Sequence, residues 1–364
     1  MSGKPAKMKD KVIVAGAAGF IGSNLVHRLM RNGWNVVSLD KLTYAGIREN
    51  LSCFDDNPKH TFCEGSINDR ALLDELFAKH NPGAMINLAA ESHVDRSIDD
   101  PGSFIETNIA GTYTILEAIR NYLINDGNDK SETFRFVHVS TDEVYGSIKD
   151  GAFSESHPFR PNSPYAASKA SADCLVRSYH RTFGLPAIIS NCSNNYGPLQ
   201  FPEKLIPLVV QKAVSGELLP IYGDGKQERD WLFVEDHCAA LETLLTDGTP
   251  GETYNIGGDA CMQNIQLVEK ICVILDKIKP REIGRYADLI SYVPDRPGHD
   301  RRYAIDHSKL TSELGWKPGV DIDEGLELTV RWYLENDEWL KIAQGRGYGG
   351  QRLGLNANAG STGG

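Results

Sequence analysis

Two short stretches carry residue types able to do acid–base chemistry on one small molecule. The first is Val139-Ser140-Thr141-Asp142-Glu143-Val144-Tyr145, where an apolar run from Phe136 ends in hydroxyls and two adjacent carboxyls. The second is Ser163-Pro164-Tyr165-Ala166-Ala167-Ser168-Lys169. Tyr165 and Lys169 are spaced i,i+4, so on a helix both leave the same face. An ammonium beside a phenol favours the phenolate and draws its pKa down from about 10 toward the range of a working base. Two neighbouring carboxyls divide into an acid and a base when their surroundings hold them in opposite protonation states. Consecutive side chains on a strand point in opposite directions, so Asp142 and Glu143 address one substrate only if the backbone turns there.

The elements that must hold these residues are legible nearby. Ser163 is a helix cap and Pro164 suits a first helical turn, where its missing N–H costs nothing. At the front of the chain the β-branched run Lys11-Val12-Ile13-Val14-Ala15 reads as a buried parallel strand. Gly16-Ala17-Ala18-Gly19-Phe20-Ile21-Gly22 follows, then a helical stretch from Ser23 to Asn32. Strand, glycine turn and helix in that order bring backbone N–H groups close to a pyrophosphate at the helix's positive end. The next strand, Trp34 to Leu39, ends at Asp40, placed to take adenosine ribose hydroxyls and to repel a 2′-phosphate. Asp40 thus argues for NAD, and Lys41 beside it works slightly the other way.

Apolar strands alternate with helical stretches as far as Asn191: strands at 61–63, 84–88, 136–140 and 187–190, helices at 71–80, 104–123 and 165–183. This alternation predicts an α/β fold, a doubly wound parallel Rossmann sheet. Beyond it the chain breaks into short segments punctuated by Gly and Pro. We expect a mainly NAD-binding domain over 11–191 and a smaller α/β substrate-binding domain over 192–341, with some chain returning to the first. Residues 1–10 and 345–364 read as loose tails. A net charge of −11 disfavours nucleic-acid or anionic-membrane partners, so an anionic ligand must be met by locally placed Arg and Lys. Seven cysteines without a C-x-x-C pair read as reduced thiols of a cytoplasmic protein, and no metal site is expected. No membrane-spanning run or leader is expected. His93 and His138 read as packed or surface histidines.

Longer segments narrow the reading. They include Leu39-Asp40-Lys41-Leu42-Thr43-Tyr44-Ala45-Gly46, Leu88-Ala89-Ala90-Glu91-Ser92-His93-Val94-Asp95-Arg96-Ser97 and the Thr141-Asp142-Glu143 triplet. Asn194-Asn195-Tyr196-Gly197-Pro198, Phe201 to Pro207, Arg229-Asp230-Trp231 and Asp295-Arg296-Pro297-Gly298-His299-Asp300 continue the pattern. From about Lys11 to Lys341 the chain resembles the dTDP-glucose 4,6-dehydratase family of the extended short-chain dehydrogenase/reductase group. The resemblance implies a hydro-lyase that converts a thymidine diphosphate glucose to its 4-keto-6-deoxy form by internal oxidation, elimination and reduction, for deoxysugar (for example rhamnose) synthesis. It assigns Tyr165 as base at the 4-hydroxyl, with Thr141 bonded to the same oxygen and Lys169 on the nicotinamide ribose. Glu143 becomes the base at C5 and Asp142 the acid at O6. NAD contacts are implied for Gly16, Gly19, Phe20, Ile21 and Gly22, and for Asp40, Lys41, Thr43, Ser66 and Ile67. Leu88, Ala89, Ala90, Ser92, Thr107, Tyr165, Lys169 and Asn195 complete that set. Substrate contacts are implied for Ser92, Thr141, Asn194, Lys204, Leu205, Pro220 and Tyr222, and for Arg229, Asn264, Arg296 and His299. A homodimer through the helices near 104–123 and 165–183 is expected.

Two departures stand out. Ser66-Ile67 occupies the place of an Asp-Ile pair that contacts adenine, and Asp259-Ala260-Cys261 replaces the usual Asn-Glu after Gly257-Gly258. The alternatives are a 4,6-dehydratase or epimerase acting on a UDP- or GDP-sugar, and a non-catalytic NAD-sensing scaffold. An epimerase has no need of an acid at O6, and a scaffold has no need to keep Thr141, Asp142, Glu143, Tyr165 and Lys169 together.

Overall fold

The computed structural model describes residues 11–124, 132–295 and 299–346. The expected N-terminal tail, most of the C-terminal one (347–364) and Arg296 lie outside them. In chain order the first elements are β1 (Lys11–Ala15), α1 (Phe20–Arg31), β2 (Asn35–Asp40), β3 (His60–Glu64), α2 (Arg70–His80) and β4 (Ala84–Asn87). Then come α3 (Val94–Asp99), α4 (Pro101–Phe104), α5 (Gly111–Ile124), β5 (Arg135–Thr141), α6 (Pro164–Phe183), β6 (Ala187–Cys192) and β7 (Asn194–Tyr196). The remainder comprises α7 (Leu205–Val214), β8 (Leu219–Tyr222), β9 (Glu228–Phe233), α8 (Val234–Asp247), β10 (Thr253–Ile256), β11 (Cys261–Gln263), α9 (Asn264–Ile278) and β12 (Ile290–Val293). Helices α10 (Ser308–Leu314), α11 (Ile322–Glu335) and α12 (Asp337–Gln344) close the described chain.

Seven strands form one sheet in the order β10-β6-β5-β4-β1-β2-β3, every pairing parallel. Successive strand residues face opposite sides, and β1 shows it: Val12 and Val14 join the core with α1 and α8, while Ile13 and Ala15 join the core with α2, α5 and α6. The strand order reverses between β1 and β4, the switch point where such sheets open a ligand crevice at their carboxyl ends. The predicted helix at 104–123 is longer than expected. It begins at Pro101, passes through a π-turn over Ile105–Ala110 and continues as α5.

Beyond β6 a separate apolar cluster gathers Ile206, Val209 and Ile221 with Trp231, Ile271, Tyr333 and Trp339. It is flanked by small sheets, β11-β9-β7 and β12-β8. Helix α8 and strand β10 go back to the large sheet, where β10 pairs with β6 as its outer strand. Of the stretch expected to be a loose tail, Arg346 is held: its guanidinium donates to the Gly46 carbonyl at 2.6 Å, behind the loop that follows β2.

Candidate active site

The backbone does turn where the two carboxyls need it to. Thr141 ends β5 in extended conformation, and Asp142–Tyr145 form one 3₁₀ turn whose Glu143 N–H donates to the Thr141 hydroxyl oxygen at 3.3 Å. Asp142 is 2 % exposed, and its Oδ2 has no hydrogen-bond partner. Burial first, then the charges of Glu143 and Asp230, push its carboxyl well above the ordinary range, with Arg229 and a Thr141 hydrogen bond opposing. A carboxyl so shifted keeps its proton to a higher pH than an exposed one.

Across from this turn, Ser163 caps α6 by accepting from the Ala166 N–H at 3.1 Å, and Pro164 sits in the first turn. Tyr165 is thereby set near Thr141, Glu143 and Asp142, each of which bears on its hydroxyl. The expectation that Lys169 draws Tyr165 toward phenolate is corrected here. Burial and the negative charge of Glu143 push the phenol well above its usual value, and only a Thr141 hydrogen bond works downward. The Lys169 ammonium donates instead to the Val139 carbonyl at 2.7 Å, inside the protein, where burial lowers its own pKa.

The nucleotide crevice opens at the ends of β1, β2 and β4. It is lined by Gly16, Gly19, Asp40, Lys41 and Thr43, with Ile67, Leu88, Ala89, Ala90 and Thr107 on the other side. Gly16 adopts φ +76°, and a Cβ there would lie 2.6 Å from the Ala89 nitrogen, so this turn needs glycine. Helix α1 starts at Gly19 without any side-chain cap, which leaves the first-turn N–H groups, from Phe20 onward, for an anion. Asp40 accepts from the Ala18 N–H at 2.9 Å and the Leu42 N–H at 2.8 Å, which orients its carboxylate. Lys41 is drawn aside by the Thr107 hydroxyl at 3.2 Å and Glu91 at 3.5 Å.

A polar wall continues along β9 and β7. Arg229 is buried: its guanidinium donates to the carbonyls of Glu228 at 2.7 Å and Asp300 at 3.0 Å and stacks over the Tyr303 ring at 4.4 Å. Asn194 pairs in register with Trp231. Around them Asn194 Oδ1, Trp231 Nε1, Gln227 Oε1 and Asn264 Oδ1 are buried without partners, a set that suits a polar ligand. His299 pairs with Asp295 at 2.6 Å, with the Tyr222 ring edge-on beside it.

The sequence matches the family described as GDP-mannose 4,6 dehydratase over residues 13–329. It is 54 % identical over 344 residues to a dTDP-glucose 4,6-dehydratase of Xanthomonas campestris pv. campestris, covering 94 % of this chain and 98 % of that one. The chain belongs to the nucleotide-sugar 4,6-dehydratases. An Escherichia coli dTDP-glucose 4,6-dehydratase is 50 % identical over 359 residues, 95 % of this chain and 99 % of its own. Among solved structures, the Streptomyces venezuelae dTDP-glucose 4,6-dehydratase with NAD and dTDP bound is 44 % identical, with TM-score 0.83, 92 % of this chain and 99 % of that one covered. A Thermotoga maritima UDP-glucose 4-epimerase with UDP-glucose shares the fold at 30 % identity and TM-score 0.78, over 89 % of this chain and 99 % of that one.

In this dehydratase, most of the residues expected around the dinucleotide do converge on one crevice. Ser66 stands apart: its hydroxyl accepts from the Asn68 N–H at 3.1 Å, tying its own turn. Asn195 is engaged internally, donating to the Ser193 carbonyl at 3.0 Å and accepting from buried His237 at 2.9 Å. Ser92 is exposed and offers its carbonyl to Lys204, which precedes Leu205 at the start of α7, while Pro220 lies on β8. The departing segment at 259–261 is held against β9. Asp230 accepts from the N–H groups of Gly258 and Ala260, and the loop becomes β11, pairing Met262 with Arg229. It thus steadies the strand that carries Arg229. His93 and His138 are both buried, as packed histidines. Unforeseen neighbours of the site include Leu39, Ala45, Gly46 and Gly65 in the crevice, and Asp230 and Tyr303 beside the carboxyl pair. No motif marks Tyr303; only the fold brings it there.

Proposed function

We propose that this chain converts dTDP-glucose to dTDP-4-keto-6-deoxyglucose and water, as a cytoplasmic homodimer. The observation that carries the reading is a buried Asp142, its carboxyl pushed upward by that burial, next to Glu143 on one turn and close to Tyr165 and Thr141. Bound NAD would accept the C4 hydride and return it to C6. Thr141 and Tyr165 hold the 4-hydroxyl, and Tyr165 takes its proton as the phenolate, a form that burial and Glu143 disfavour and that the positive nicotinamide of bound NAD would favour. Glu143 then removes the C5 proton, made acidic by the new ketone, and Asp142 gives its proton to the departing O6 as water. Glu143 returns its proton to C5, and the proton held by Tyr165 balances the one Asp142 gave. Burial helps the leaving step, because an acid must be protonated to act. The crevice glycines, the uncapped start of α1 and Asp40 are the residues that would hold NAD. Arg229, Asn194, Asn264, Lys204 and His299 would hold the nucleotide diphosphate, with Arg fit for phosphate forks.

Residues 11–191 then act mainly on NAD and 192–341 mainly on the sugar nucleotide. Dimer formation is supported by exposed apolar side chains around these helices: Ile105 in the π-turn and Tyr113 on α5 are more than half exposed, and Ile109, Phe159, Ala167 and Leu175 line one open hollow. Among the described residues no helix is long and apolar enough to cross a membrane.

The test is turnover on dTDP-, UDP- and GDP-linked glucose and mannose, following the alkaline absorbance of the 4-keto-6-deoxy product. dTDP-glucose should be preferred over the uridine form. A methyl in an apolar pocket is worth about 1–3 kcal/mol, so the preference over UDP-glucose should be about 10–200-fold in kcat/KM. A preference for another nucleotide would overturn the thymidine assignment.

A further inference from the structure

Helix α12 reaches back from the far end of the chain to the glycine turn at the start of α1. Its Trp339 belongs to the apolar cluster beyond β6, with ring centroids 5.0 Å from Trp332 and 6.2 Å from Tyr333. The indole nitrogen points the other way, to a 3₁₀ turn over Arg48–Phe54 that follows the crevice loop. There it donates to Asn50 Oδ1 at 2.7 Å, and both side chains are buried. The Asn50 amide in turn donates to the Ala18 carbonyl at 3.2 Å and to the Ser23 hydroxyl oxygen at 3.4 Å. Ala18 is the residue whose N–H meets Asp40, and Ser23 ties the first turn of α1 by donating to the Gly19 carbonyl at 2.6 Å. Past the end of α12, Arg346 holds the carbonyl of Gly46, a residue of the crevice wall.

We propose that Trp339 and Asn50 are positioning residues for NAD: through one amide, α12 fixes the glycine turn that receives the pyrophosphate. The proposal rests on the reading of that crevice as the NAD site. Neither residue lines the crevice, so both act through the turn. An indole nitrogen can only donate, so it decides which end of the Asn50 amide is the oxygen. The NH2 end must then face Ala18 and Ser23. Ala18 thereby has its N–H held by Asp40, and its carbonyl held by Asn50 and by the Ile47 N–H at 2.9 Å. With both groups pinned, the peptide entering α1 keeps one orientation, and so do the first-turn N–H groups left for an anion. Without the indole donor, a buried amide oxygen loses its partner and nothing selects the orientation of the amide. A turn already in its bound shape loses less freedom on binding, so the effect of this bond falls on affinity.

Trp339→Phe removes the indole N–H and keeps an aromatic ring. In calorimetric titration it should bind NAD about fivefold more weakly, the factor of one ordinary hydrogen bond, while kcat at saturating NAD stays unchanged. Asn50→Ala should weaken NAD at least as much. Because Trp339 acts through Asn50, the double variant should bind NAD as Asn50→Ala does, to within about twofold. Trp332→Phe trims the same aromatic cluster and leaves the Trp339–Asn50 bond in place. It should lower the melting temperature without moving NAD affinity. Additive losses in the double variant, or an equal loss of NAD affinity in Trp332→Phe, would overturn the proposal and make Trp339 a packing residue. Unchanged NAD affinity in Trp339→Phe would overturn it too. A wild type that binds no NAD would fail at an earlier point, sinking the reading of the crevice and this proposal with it.

Discussion

At the end of β1 the chain meets its nucleotide with backbone, whereas at the end of β5 it meets its sugar with side chains. The crevice around Gly16 depends on strand ends and helix α1 approaching so closely that a Cβ on Gly22 would lie 2.0 Å from the Gly16 carbonyl oxygen. Around Asp142 the material is different: carboxyls, hydroxyls and a phenol taken out of water, whose protonation is set first by that burial and then by charged neighbours both near and distant in sequence, Glu143, Asp230 and Arg229. A backbone site works by shape and dipole and tolerates changes of charge nearby. A side-chain site works by proton inventory, and one altered charge changes what it can do. The two should therefore fail differently.

The largest effect is expected from Tyr165→Phe. Removing the hydroxyl that takes the 4-hydroxyl proton should cost about 10²–10⁴-fold in kcat, the scale of a positioned general base. NAD affinity should hardly move, since the crevice is intact. Stopped-flow absorbance should show neither reduced nicotinamide nor product. If NAD binding collapsed along with the rate, the separation of the two regions would be wrong.

Asp142→Asn should sharpen the comparison within the reaction centre. An amide cannot supply a proton to O6, so elimination should slow by about 10²-fold or more while oxidation continues. Reduced nicotinamide should then accumulate, whereas the wild type should show it only briefly. The pH dependence has a definite sign. The wild-type acid works while protonated, so elimination should fall as pH rises through the raised pKa of Asp142, and the variant should lack that fall. An unchanged overall rate would remove Asp142 as the acid.

Gly16→Ala acts on the other region. A residue with a Cβ at φ +76° pays about 1–2 kcal/mol for the left-handed backbone, and this Cβ also meets the Leu88–Ala89 peptide. NAD should bind about tenfold more weakly, corresponding to ~1.4 kcal/mol, with a lower melting temperature. The rate at saturating NAD should stay unchanged. Calorimetric titration with NAD and steady-state kinetics check both halves, and a loss confined to kcat would contradict the division.

The two regions also differed in how far the sequence disclosed them. Only glycine can make the turn at Gly16, so residue type and position there amount to a structure, and the strands before and after it follow from their apolar runs. The pair Tyr165 and Lys169 and the turn at Asp142 were legible for a similar reason: helix spacing and capping are local. What could not be read was the electrostatic outcome. Burial of Tyr165 against Glu143 outweighs Lys169, whose ammonium turns to the Val139 carbonyl, and no spacing rule contains that balance. Arg229 was expected only as a substrate contact in the broken stretch beyond Asn191. It is instead a buried member of β9, held by two carbonyls and the Tyr303 ring, which only tertiary packing brings together.

The smallest effect tests the one charged side chain on which the backbone crevice relies. Asp40 has both oxygens oriented by the Ala18 and Leu42 N–H groups, leaving its remaining lone pairs toward the crevice. Its charge opposes a 2′-phosphate, while Lys41 is tethered to Thr107 and Glu91 and does little to attract one. Arg346, which anchors on the Gly46 carbonyl, adds a second cation near Asp40. Asp40→Asn removes the anion and leaves both cations, so the preference for NAD over NADP should fall by about tenfold, ~1.4 kcal/mol. One backbone N–H would also face the new amide's own N–H, at a cost of about 1–3 kcal/mol in stability. Burial raises the pKa of Asp40, so the wild type should itself lose discrimination as pH falls through that value, when the carboxyl takes up its proton. The variant should discriminate equally poorly at every pH. Ratios of kcat/KM for the two cofactors measured across acid and neutral pH decide it, and a variant as selective as the wild type would show that the crevice excludes NADP by shape alone.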